Sequence, residues 1–85
     1  GIHVFPNPAV HGSFQVGVQM AKEGQAEISL FDTQGKLVRA LHNGLLPEGL
    51  NNLSVQTDGL PIGVYFVRVS DHQTIVAYEK IVVAY

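Results

Sequence analysis

From Ser13 to Met20 apolar and polar positions alternate: Phe14, Val16, Val18 and Met20 fall on one side, Ser13, Gln15, Gly17 and Gln19 on the other. A period of two is that of a strand with one buried and one wet face. The pattern recurs. Ala26 to Phe31 places Ile28 and Leu30 on an inner face, and Leu50 to Thr57 places Leu53 and Val55 inward with Asn52, Ser54 and Gln56 outward. Ile2 to Phe5 is a short apolar strand stopped by Pro6-Asn7-Pro8, since proline brings no N–H to a ladder, and it is expected at a sheet edge.

The densest apolar run follows Gly59-Leu60-Pro61-Ile62-Gly63, a corner built from the residues that fix or free φ. Val64, Tyr65, Phe66, Val67 and Val69 are β-branched or aromatic and occupy both pleat faces, with Arg68 the only charge. That composition predicts a strand in the middle of a sheet.

Turn signals separate these segments. Lys22 to Gln25 is a polar turn, and Asp32-Thr33-Gln34-Gly35 reads as a hairpin loop, with Asp at its first position and Gly at positive φ. Leu37, Val38 and Leu41 carry the return strand. The stretch from His42 to Gly49, with Gly44, Pro47 and Gly49, reads as a loop exposing Leu45 and Leu46. Ser70 to Gln73 is a further turn, and Thr74 to Tyr85 closes the chain as a long strand. Seven strands with turns at roughly 8- to 12-residue intervals and no helical period predict an all-β fold, a seven-stranded antiparallel immunoglobulin-like β-sandwich. The strand order is not legible.

Composition narrows the function. The 85 residues are 46% hydrophobic and 14% charged, so the chain is expected to fold as one domain, residues 1–85. The net charge of −2 gives no basic field for nucleic acid, and no apolar run reaches the roughly 20 residues of a membrane helix, so neither nucleic-acid binding nor direct membrane insertion is expected. There are no cysteines. Gly1 is not an initiator methionine, and the chain is expected to be a fragment of a longer secreted precursor.

Candidate chemistry is sparse. His3, His11, His42 and His72 lie on four different turns or strand ends without metal-ligand spacing. Ser70-Asp71-His72 has the residue types of a nucleophilic triad, but sequence neighbours on a strand or tight turn point apart. Asp32, Asp58 and Asp71 occupy turn positions that favour Asp for backbone bonding. No enzyme, metal or cofactor is expected. Tyr65 is expected in the core, its hydroxyl bonded to a nearby loop as in a tyrosine corner. No platform of coplanar rings is visible.

The last strand stands out because Ile81, Val82, Val83, Ala84 and Tyr85 place apolar groups on both faces up to the chain end, after the adjacent charges Glu79 and Lys80. If Ile81 and Val83 face the core, Val82 and Ala84 face outward. Such a strand is either covered by a neighbour or is an edge open to strand addition.

Four segments in order, Phe5-Pro6-Asn7-Pro8-Ala9, Ile28 to Val38 with Asp32 and Gly35, Leu60 to Val69 with Gly63, Tyr65 and Phe66, and Lys80-Ile81-Val82-Val83, resemble the C-terminal sorting domain of type IX (Por) secretion system cargo proteins of the Bacteroidetes. The resemblance spans essentially the whole chain. It implies a non-catalytic secretion signal that carries an attached cargo through the periplasm and across the outer membrane to the cell surface or the medium. The partners it implies are the outer-membrane translocon, a shuttle protein and a sortase-like protease that commonly removes the domain and attaches the cargo to the surface. Lys80 to Tyr85 are the expected recognition residues, and Pro6, Asn7, Pro8, Asp32, Gly35, Gly63, Tyr65 and Phe66 the structural motif. The family's cleavage point lies upstream of the first strand, so it is not expected in this chain. Members often end in a basic residue, whereas this sequence ends Ala84-Tyr85. The alternatives are an accessory carbohydrate- or protein-binding module of a secreted enzyme, to which Leu45 and Leu46 would contribute, and self-association through the C-terminal strand.

Overall fold

The computed structural model describes residues 1–72 and 74–84. Seven strands form: β1 (Ile2–Phe5), β2 (Ser13–Met20), β3 (Gly24–Asp32), β4 (Leu37–Leu46), β5 (Gly49–Gln56), β6 (Gly63–Asp71) and β7 (Thr74–Val83). They make two antiparallel sheets, a three-stranded one in the order β1-β2-β5 and a four-stranded one in the order β4-β3-β6-β7. In a constant-type immunoglobulin sandwich the fourth strand joins the first sheet; here β4 pairs with β3 instead.

The alternation read along the chain becomes the core. Phe14, Val16 and Val18 from β2 and Val55 from β5 meet Ile28 and Leu30 of β3, Tyr65, Val67 and Val69 of β6, and Ile81 and Val83 of β7. β6 lies between β3 and β7, the interior position its composition predicted. Only one of its faces is fully buried, however: Tyr65, Val67 and Val69 point inward, whereas Phe66 and Arg68 are half-buried and Val64 is exposed. Antiparallel sheets can leave a face to solvent, so an apolar run need not be covered on both sides.

The hairpin after β3 is tied by its aspartate. Asp32 Oδ1 accepts from the N–H groups of Gln34 and Lys36, both at 2.9 Å, and Gly35 has φ +80°. Tyr65 is 6% exposed and its hydroxyl donates to the Pro61 carbonyl at 2.5 Å, which pins the corner before β6.

The expected loop from His42 to Gly49 is strand over most of its length. β4 runs on through Leu46, paired with β3 as far as Gly24, and only Pro47 and Glu48 separate it from β5. Of the leucines expected to be exposed, Leu45 is, but Leu46 belongs to the core. Gly44 and Asn43 look like turn residues in isolation; the ladder with Ala26 and Glu27 overrides that preference.

Both edges of the four-stranded sheet carry a charge in the inward-facing row. Arg39 on β4 is the partner of the core residue Leu30, and Glu79 on β7 is the partner of Val67. Arg39 reaches across the sandwich, donating to the carbonyls of Gln56 (2.7 Å) and Asp58 (3.2 Å). Inward-pointing charges discourage edge-to-edge aggregation.

Candidate functional site

Two of the segments singled out in the sequence, one from each end of the chain, meet at the outer edge of β7. Pro6 and Pro8 carry no N–H, so the backbone there has little to offer a neighbouring strand. Asn7, between them, supplies a side-chain amide with both a donor and an acceptor. Its Nδ2 donates to the Lys80 carbonyl at 2.8 Å, and its Oδ1 accepts from the Val82 N–H at 3.0 Å. Next to it the Ala9 N–H donates to the Val82 carbonyl (2.8 Å), and the Ala84 N–H donates to the Ala9 carbonyl (2.9 Å). Ala9 is fully buried and forms a parallel bridge with Val83.

The sequence left the last strand either covered by a neighbour or open as an edge, and each description holds for part of it. β7 is an edge strand, but over Lys80 to Ala84 the Asn7-Pro8-Ala9 segment covers it, so that part of the strand is closed to a further strand. The uncovered part lies earlier, where Ile75, Val76 and Tyr78 are all exposed. There a cleft of about 390 Å³ opens between the sheets, lined in part by Gly1, Val18, Met20, Val69, Val76 and Ala77.

The expected recognition residues divide into two groups. Ile81 and Val83 are fully buried and pair with Tyr65 and Gly63, so they hold the fold together. Lys80 and Ala84 are exposed and Val82 is half-buried, so these present the outward side of the strand. Tyr85 lies outside the described residues. Of the structural motif, Pro6, Asn7 and Pro8 reach the C-terminal strand. Asp32, Gly35, Gly63 and Tyr65 shape the turns and corner around β3 and β6, and Phe66 faces outward.

Sequence reading missed the outer face of the four-stranded sheet. Register brings Leu37, Phe31, Phe66 and Lys80 into one row across the four strands, and Ser29, Arg68 and Tyr78 into the next. The rings of Phe66 and Tyr78 stack with centroids 5.2 Å apart and 14° between planes, and the Arg68 guanidinium carbon lies 4.0 Å from the Phe31 ring centroid. These residues come from three strands, and a bulge at Val69/Ser70 shifts the pairing of β6 with β7. The only signal in the sequence was that Phe31, Phe66 and Tyr78 each fall out of phase with the core positions of their strands.

The four histidines lie far apart in sequence, and His3, His11 and His72 are exposed. Asp71 and His72 are in contact, with Nε2 3.5 Å from Oδ1, although neighbours there were expected to point apart. The pair sits in open solvent, with side chains 52% and 83% exposed, while the adjacent Ser70 is buried. Among the described residues no group of three or more His, Cys, Asp or Glu side chains could hold a metal ion.

No curated protein matches the chain. The family described as the secretion system C-terminal sorting domain matches residues 3–84, nearly its whole length. The two matched ends are the segments that Asn7 and Ala9 join at β7, and the chain belongs to this family of type IX secretion C-terminal sorting domains.

Proposed function

We propose that this domain is the non-catalytic address of a longer secreted protein, read by the outer-membrane translocon at the outward side of β7 from Lys80 to Ala84, together with the Asn7-Pro8-Ala9 segment that holds it. The observation that carries this reading is the double hydrogen bond of Asn7 with Lys80 and Val82, which fixes the backbone of the last strand to the first motif of the chain. A strand so held offers the translocon a defined surface of side chains, Lys80, Val82 and Ala84, and recognition loses little conformational entropy on docking. A shuttle protein and a sortase-like protease act after translocation, the latter removing the domain and attaching the cargo to the surface.

The test is export. A signal peptide and a folded reporter are joined to residues 1–85 in a type IX-competent bacterium, and Val82→Lys and Ala84→Glu are compared with the native domain. Surface or medium reporter should appear with the native domain and be lost with both variants, while purified variant domains melt like the native one. Undiminished export of both variants would place recognition elsewhere on the domain.

A further inference from the structure

The outer face of the β4-β3-β6-β7 sheet combines apolar surface with two cations. Leu37, Phe31, Phe66, Val64 and Val82 provide the apolar part, and Arg68 and Lys80 lie among them. Among the described residues the one ion pair is that of His72 with Asp71, so no described carboxylate neutralises either cation. Arg68 is held in place: its guanidinium lies over the Phe31 ring, and its Nε is buried with no hydrogen-bond partner among the described residues.

A planar guanidinium fixed against a ring is preorganised for a carboxylate, which it binds through two parallel N–H donors. We infer that this face is a docking surface for a partner protein, one that places a carboxylate on Arg68 and apolar side chains on the rows containing Phe66 and Tyr78.

A glycan fits less well. Sugar stacking needs ring faces open to solvent, and Phe66 and Tyr78 turn a face toward each other. The flanking Leu37, Val64 and Val82 are aliphatic, as at the apolar centre of a protein interface, and the aromatic and arginine content is that of interface hot spots. The face shares the Lys80 and Val82 side chains with the surface proposed above and extends it across the sheet to Phe66, Arg68 and Tyr78, while Asn7 occupies the backbone edge beside it. Its biological meaning rests on the sorting role proposed above; its chemistry does not.

The first experiment is a titration of the ¹⁵N-labelled domain followed at the Arg68 Nε–H resonance. The probes are an acetylated, amidated Leu-Glu-Phe peptide, its Leu-Gln-Phe counterpart and a polygalacturonate oligosaccharide. A saturable shift with the Glu peptide, at least about tenfold weaker binding of the Gln peptide, and loss of the response in Arg68→Gln are expected. No saturable shift, equal responses to both peptides, or tighter binding of the oligosaccharide would overturn the proposal. The second is export of the reporter fusion carrying Tyr78→Ser or Leu37→Ser, exposed positions of this face outside Lys80 to Ala84 whose replacement leaves the core intact. A fall in export at unchanged melting temperature is expected, and normal export by both variants would remove this face from the sorting pathway. If the native fusion itself is not exported, the sorting role fails, and the peptide titration alone decides the docking surface.

Discussion

The side-chain amide of Asn7 takes the place of a neighbouring strand at Val82. Its oxygen receives the Val82 N–H and its nitrogen serves the carbonyl two residues earlier, so a single side chain mimics a peptide unit at the edge of β7. Asn7→Ala removes both bonds at a solvent-accessible edge and should lower stability by about 1–2 kcal/mol. For a domain of this length that corresponds to a fall in melting temperature of roughly 4–15 °C, measurable by calorimetry. Faster hydrogen exchange at the Val82 amide, with unchanged exchange at the Val67 amide, would locate the effect at the edge.

Removing residues 80–85 is the obvious way to test a C-terminal signal, but it also removes Ile81 and Val83 from the core. Each buried aliphatic side chain contributes about 1–4 kcal/mol against a total stability of about 5–15 kcal/mol. The truncated domain should therefore lose its cooperative unfolding transition by circular dichroism. Retention of a native-like transition would show that β7 is dispensable for the fold.

Adjacent aromatic residues on β6 should behave differently. Tyr65→Ala empties a core position and should cost about 3–5 kcal/mol, and Tyr65→Phe, which loses only the bond to Pro61, about 1 kcal/mol. Phe66 is half-buried and stacked on Tyr78, so Phe66→Ala should cost clearly less than Tyr65→Ala in urea denaturation. Equal losses at the two positions would mean that the outer face is as tightly packed as the core.

Asp32 makes the β3–β4 hairpin through one oxygen. Asp32→Ala should destabilise by about 1–2 kcal/mol, whereas Asp32→Asn, which keeps the acceptor, should retain most of the stability. Denaturation midpoints of the two variants decide this.

Local grammar in the sequence was enough for the strands and most of the turns. Phe14, Val16 and Val18 alternate because one face is buried, and Asp32 with Gly35 marks a hairpin because few other residues close that turn as readily. β4 was read short because Gly44 and Asn43 carry local preferences that pairing with β3 overrides. The Asn7–Val82 bond joins positions 75 apart, and the stacking of Phe66 with Tyr78 depends on a bulge, so neither leaves a mark in a linear pattern. The resemblance to sorting domains drew attention to both ends of the chain, but not to their contact.

The joining of Asn7 and Ala9 to the final strand has a consequence for incomplete chains. A domain interrupted within β7 keeps its Pro-Asn-Pro motif but has no strand for Asn7 and Ala9 to close upon. The surface that the two segments build together then never forms, although almost all of the sequence is present. In this arrangement the two ends of the domain answer for each other, and neither the Pro-Asn-Pro segment nor β7 is complete alone.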